Sequence, residues 1–224
     1  FIFRSRENAR YVEGIEYPQI VRQALEDFPQ VSGISEILEG TAVLDSGSRK
    51  HVVQVHGLRI KDHLMVSDLE NQVIHGSVER LASDRSGVLV GSRIAERLRL
   101  EPGDRVTLIG GTENEQLRVS GIFETGVSQI DKNRLYLDLS TLRSFLGKPF
   151  GGSVFQVSVK DPDAVAGIAA QMQETIGHRV VGWQEREKVW LEVFKALRVS
   201  SAITVSSILL LSGLGMFNVF AIMV

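Results

Sequence analysis

The five histidines, His51, His56, His63, His75 and His178, are the side chains best suited to metal ligation or to proton transfer near neutral pH. None stands in an H-E-x-x-H or comparable ligand spacing. His51 and His56 fall in one predicted strand at odd spacing and so point to opposite faces. Solvated or locally hydrogen-bonded rings are expected, with no metal site. The absence of cysteine removes thiol nucleophiles, disulfides and thiolate ligands. Neither a G-x-S-x-G elbow nor a Walker A loop occurs, so nothing here signals serine-hydrolase chemistry or P-loop ATP binding. Glu113, Glu115 and Glu124 come nearest to paired carboxylates, but the first two flank Asn114 in a predicted turn. Gly110-Gly111 marks that same turn and cradles no phosphate, because no helix N-terminus follows it. The residues read as those of a non-enzyme that needs no cofactor and no metal.

A different chemistry, noncovalent contact between helices, is written near the C-terminal end. At about 100° per residue, Ser200, Thr204, Ser207, Gly215 and Asn218 fall within an arc of about 80° on one helix. Small side chains there permit close approach of a second helix, and hydroxyls or an amide can bond across the contact. The competing reading is that the hydroxyls bond their own backbone.

The element that carries this stripe is set by composition. Val199 to Val224 contains no Asp, Glu, Lys, Arg or His, and as a helix it spans roughly 39 Å, against about 30 Å for a bilayer core. Ahead of it, Trp190, Val193, Phe194 and Leu197 repeat at helical spacing, with no Gly or Pro before the apolar run. A continuous rod from Gln184 is expected. At the other end, Phe1-Ile2-Phe3 turns polar at Arg4, which reads as the end of a preceding hydrophobic segment in a longer protein. Between the two lies ordinary globular composition, and a net charge of −2 gives no general reason to expect nucleic acid. Arg186, Lys188, Lys195 and Arg198 crowd one side of the span, but orientation needs both sides.

Along the globular part, a helix is predicted over Tyr17 to Phe28, then a hairpin of Val31 to Leu44 and His51 to Ile60 around Asp45-Ser46-Gly47-Ser48. Strands follow at Gly87 to Val90, Asp104 to Ile109, Gln116 to Phe123 and Arg134 to Leu139, with helices at Ser92 to Leu100 and Ser140 to Leu146. Val154 to Val159 reads as a strand with Phe155, Val157 and Val159 on one face. A helix over Pro162 to Ile176 is capped by Asp161 and ended by Gly177, and Val180-Val181 begins a last strand. The opening helix and hairpin look like one half of an α/β layer, the late strand, helix and strand like the other, with an insertion between.

Three segments carry a family resemblance. They are Gly87 to Asp104 (GVLVGSRIAERLRLEPGD), Val119 to Gly126 (VSGIFETG) with Asp131 and Tyr136, and Trp183 with Phe217-Asn218. In this order and spacing the chain resembles FtsX-like ABC transporter permeases, in the lipoprotein-releasing (LolC/LolE-type) branch and next the macrolide-export (MacB-type) branch. The resemblance implies an α+β fold, with a periplasmic Porter-like α/β subdomain split by a β-rich Sabre-like insertion and a long helix entering the membrane. The corresponding boundaries are 1–14 for the end of a preceding membrane segment and connector, 15–61 and 153–183 for the Porter-like parts, 62–152 for the Sabre-like part, 184–198 for a stalk and 199–224 for the span. It further implies a multi-pass protein of the bacterial inner membrane with residues 4–185 in the periplasm. The implied partners are a cytoplasmic ABC ATPase subunit, a second permease subunit and a periplasmic lipoprotein carrier. The implied activity is release or export of a lipoprotein or amphipathic substrate by mechanotransmission. The chain departs from the carrier-recruiting permease at its hook loop, since only Gly110 to Gln116 stands at that place. Other readings are a macrolide or peptide efflux permease, an FtsX-type regulator of a cell-wall hydrolase, and a single-span receptor with a sensor domain.

Overall fold

The computed structural model describes residues 2–4, 15, 17–148, 154–186 and 188–223. In chain order the first elements are β1 (Ile2–Arg4), α1 (Pro18–Glu26), β2 (Val31–Asp45), β3 (Lys50–Leu58), α2 (Ile60–His63), α3 (Leu69–Gln72) and β4 (Val73–Gly76). Next come α4 (Val78–Ser83), β5 (Gly87–Gly91), α5 (Ser92–Leu98), β6 (Arg105–Ile109), β7 (Glu115–Phe123), α6 (Ser128–Asp131), β8 (Arg134–Asp138) and α7 (Leu139–Leu146). The last are β9 (Val154–Val159), α8 (Val165–Ile176), β10 (Arg179–Val181), α9 (Trp183–Arg186) and α10 (Lys188–Met223).

Local chemistry accounts for most of these elements. In α1, Pro18 occupies the first turn, Val21 and Leu25 one turn apart are buried, and the helix stops short of Pro29. Burying those two side chains contributes about 2 kcal/mol each. β2 and β3 form the expected antiparallel hairpin, with register Asp45↔Lys50 at its turn end and Ile37↔Leu58 at the other. In β9, Phe155 and Val157 are buried on the predicted face. One capping expectation fails. Asp161 does not cap α8: its Oδ1 accepts from Asp163 N at 3.0 Å, and the helix begins later, at Val165, without a side-chain cap. The carboxylate closes a local turn ahead of the helix, in competition with the role expected of it. Gly177 ends α8 as expected, in the left-handed region at φ 69°. The short pieces α2, α3, β4 and α4 between residues 60 and 83 were not anticipated, since four- to six-residue elements carry too little periodicity to read.

The strands of residues 2 to 181 join one sheet of order β10-β1-β9-β2-β3-β8-β5-β7-β4, with β6 pairing β2 and β7. Ile2–Arg4, from the segment expected to end a membrane helix, pairs antiparallel with β10. Residues 5–14 of that connector lie outside the described residues. Two pairings, β3 with β8 and β5 with β7, are parallel and need crossovers.

The side chains collect into three clusters. One unites α1, β2, β9, α8 and β10 through Val21, Leu25, Ile34, Phe155, Met172 and Val180. A second lies on one face of the rest of the sheet, under α5 and α7, with Leu44, Val55, Val90, Ile94, Leu137 and Leu142. The third, on the other face under α2 to α4, contains Ile37, Leu58, Leu81, Leu89, Phe123 and Tyr136. β2 runs through all three: its first half pairs β9 from Val31 to Ile37, and its second half pairs β3 from Ile37 to Asp45.

Residues Gly182–Val224 form a separate unit. Within it α10 is an unbroken helix of 36 residues, about 54 Å long. Its stretch Val193–Gly213 is long and apolar enough to cross a membrane.

Candidate functional site

The ladder register assembles a polar cluster inside residues 2 to 181. Glu39 of β2 lies opposite His56 of β3, and His56 opposite Tyr136 of β8, so the three share one rung of the sheet. α2 adds His63 from above the same face. Both imidazoles pack on the Tyr136 ring, with centroids 5.9 Å away for His56 and 5.8 Å for His63, and Phe123 sits at 4.9 Å. His63 Nδ1 is 3.1 Å from the Ser35 hydroxyl of β2. Arg134 Nη1 donates to the Tyr136 hydroxyl at 3.3 Å, and its guanidinium lies 6.0 Å from the ring centroid.

His56 and His63 are buried, 6% and 3% exposed, so neither is a solvated ring, and His63 is hydrogen-bonded to Ser35. Burial first, then the positive charge of Arg134, push the pKa of His56 down to about 3 and that of His63 to about 4. For His56 the neighbouring His63 adds to the shift. Both rings are neutral at pH 7. Glu39 Oε1 therefore stands 3.8 Å from an uncharged imidazole, close enough for an ion pair that does not form. Beside the cluster, Glu39, Gln54, His56, Arg134 and Lys148 line an open groove of about 530 Å³. Among the described residues no three His, Cys, Asp or Glu converge as a metal site. What the cluster can do is hold β2, β3, β8 and α2 in register through aromatic and hydrogen-bond contacts. His51, His75 and His178 take no part in it: His51 instead contacts the Lys132 carbonyl at 3.0 Å.

A second polar junction lies one residue further along β2. Glu36, 5% exposed, accepts from Arg143 Nη2 of α7 at 2.5 Å. Across the sheet, Arg22 Nη1 of α1 donates to Asp62 Oδ2 of α2 at 2.7 Å. No sequence motif marked these residues. The one available signal was Ser35-Glu36 between the apolar residues Ile34 and Ile37 of a long strand, where buried polar residues need partners.

The predicted helix-packing residues all lie on α10. Ser200, Thr204, Ser207 and Gly215 are exposed, while the side chains of Trp190, Phe217 and Asn218 lie outside the described residues. Thr204 Oγ1 donates to the Ser200 carbonyl at 3.0 Å and Ser207 Oγ to that of Ile203 at 2.9 Å. Each hydroxyl thus satisfies its own helix and keeps lone pairs for a second contact. Val193, Phe194 and Leu197 of the stalk stripe are exposed as well. Glu113 is exposed and Glu115 half-buried. Residues between Ile109 and Glu115 make a tight connection, in which Thr112 N and Oγ1 both donate to the Phe145 carbonyl of α7.

Comparison with known proteins places this architecture. Residues 2–175 match the family described as MacB-like periplasmic core domain. The lipoprotein-releasing system transmembrane protein LolE of Haemophilus influenzae is 26% identical over 175 residues, 74% of this chain and 39% of the relative. LolC of Xylella fastidiosa is 22% identical over 214 residues, 91% of this chain and 51% of the relative. The chain thus spans about half the length, or less, of these curated relatives. The periplasmic region of MacB from Actinobacillus actinomycetemcomitans aligns with a TM-score of 0.60 at 12% identity, covering 85% of this chain and 91% of that one. The extracellular domain of the noncanonic ABC-type transporter YknZ from Gram-positive bacteria aligns with a TM-score of 0.59 at 14% identity, covering 80% and 97%. With an α+β body matched along residues 2–175 and a long apolar helix after it, the chain belongs to the MacB-like periplasmic core domain family.

Proposed function

We propose that this chain is part of a permease subunit of an ABC transporter, whose extracytoplasmic domain is moved by ATP hydrolysis on a separate cytoplasmic subunit. The observation that carries the reading is the succession of a MacB-like periplasmic core domain and one unbroken helix long enough to enter and cross a bilayer. A helix without a Gly or Pro hinge between Lys188 and Ser212 transmits displacement along its axis, because bending it means stretching backbone hydrogen bonds. The domain division is proposed as two subdomains joined along β2, Porter-like around α1 and α8 and Sabre-like around α5 and α7. Residues 4–185 are proposed to be periplasmic, in a multi-pass protein of the inner membrane, beside a second permease subunit.

Lipoprotein release is favoured as the activity because the curated relatives named above carry that description. A macrolide or peptide efflux role is supported by likeness of fold alone, at 12% identity. Since the connection after Ile109 is short and pinned to α7, recruitment of a lipoprotein carrier is assigned to the partner permease subunit.

Topology is the deciding test. Cysteines at Ser48 and Asn114, both exposed, should react with a membrane-impermeant maleimide added to intact spheroplasts. Ser46 serves less well, being half-buried with its hydroxyl bonded to Arg49 O. Labelling only after lysis would place the domain in the cytoplasm and overturn the reading.

A further inference from the structure

The apolar clusters of residues 2 to 181 meet at a junction built from polar groups. The cluster around α1 and α8 is joined to the other two by β2, the strand common to them, and by the segment Arg59 to Ser67 that carries α2. At the crossing point β2 places two buried polar residues in succession, Ser35 at 0% and Glu36 at 5% exposure. Four side-chain hydrogen bonds are described there: Ser35 to His63, Arg143 to Glu36, Arg22 to Asp62, and Gln156 Nε2 to the Val66 carbonyl at 3.5 Å. Gly33 lets the backbone of that segment close in, since a Cβ there would stand 2.8 Å from the Met65 carbonyl oxygen.

The physical consequence distinguishes this junction from the cores on either side. Separating two apolar faces exposes them to water at a cost proportional to their area. Separating hydrogen-bonded polar groups exchanges protein partners for water, and the net loss is much smaller. The α2 segment keeps its apolar side chains, Ile60 and Leu64, with the third cluster, while its side-chain bonds to α1 and to Ser35 of β2 are the hydrogen bonds named above.

We infer that the α2 segment is a releasable clasp, held by Arg22–Asp62 and Ser35–His63, and that the cluster around α1 and α8 and the remainder of the sheet pivot about residues Ser35 to Ile37 of β2 when it opens. This goes beyond the proposed transport role and does not depend on what drives the motion.

Native-state hydrogen exchange of the full chain in detergent, read by mass spectrometry, tests the clasp. D62N, which gives up the bond from Arg22, should speed exchange of the Leu64 to Ser67 amides by about tenfold, and R22Q, which also gives up the Arg22 Nε bond to Glu26 at 2.9 Å, by at least as much. Exchange in β5, β7 and β8 should stay unchanged. The double variant R22Q/D62N should speed exchange no more than the larger of the two single effects, because the two side chains act through one shared bond. Faster exchange throughout both regions would mean that the ion pair only adds global stability. Unchanged exchange at residues 64 to 67, or additive effects in the double variant, would equally overturn the clasp.

Discussion

His56 and His63 are two neutral imidazoles held in largely buried positions, and that makes the domain sensitive to acid. Their folded pKa values, about 3 and about 4, lie below the ordinary 6.5. The unfolded chain therefore binds more protons than the folded one as pH falls from about 6.5 toward 4, and stability drops across that window. Each ring contributes a slope of at most about 1.4 kcal/mol per pH unit. Unfolding of the detergent-solubilised chain by urea at stepped pH should show H56Q and H63Q with shallower acid slopes than the parent. Parallel slopes would show that the rings are not held neutral. Nothing in the residue spacing announced this cluster, because His56, His63 and Tyr136 meet only through the pairing of β3 with β8 and the docking of α2.

At the scale of elements, glycines separate places where the backbone is crowded from places where it is merely exposed. A Cβ at Gly91, between β5 and α5, would stand 2.4 Å from the Asp131 carbonyl oxygen, and backbone cannot yield as a flexible side chain does. G91A should cost about 2 kcal/mol or more through overpacking. Gly167 in α8 meets nothing within 4 Å, so G167A should stabilise by about 0.5 to 1 kcal/mol from helix propensity. Thermal melts of the two variants should move in opposite directions, and a shared sign would contradict the assignment. The stripe on α10 belongs to this scale too. If Gly215 and Asn218 face another helix, G215L and N218L should weaken assembly of the complex in detergent, an interhelical hydrogen bond from the Asn218 amide alone being worth about 0.6 to 2 kcal/mol. S206L and G213L on the opposite side should be tolerated. Equal assembly across the four would mean that the hydroxyls serve only the carbonyls of Ser200 and Ile203.

At the scale of the whole molecule, the proposed coupling runs through α10. Two glycines inserted after Lys195 cost only about 2 kcal/mol of helix propensity but add a flexible joint. Expression should survive and transport should separate from ATP hydrolysis, measured as substrate released per ATP consumed. An unchanged ratio would exclude this helix as the transmitting element. The joint falls near the start of the Val193–Gly213 stretch, ahead of the charge-free run that begins at Val199.

The sequence by itself determined the features that depend on local pattern. The charge-free run after Val199 set a membrane-length helix, period-two alternation set β9, and Asp45 to Ser48 set the hairpin turn. Ordered motifs from Gly87 to Tyr136 pointed to the family to which the chain belongs. The tertiary structure alone decided which segments meet. The parallel pairing of β3 with β8, the passage of β2 through three clusters, and the burial of Ser35, Glu36, His56 and His63 rest on contacts between residues far apart in sequence. Such contacts are chosen by the packing of whole elements, and no window of neighbouring residues contains them. Asp161 shows the converse at short range, where two local hydrogen bonds compete and the sequence permits either, so that the fold selects the turn over the cap.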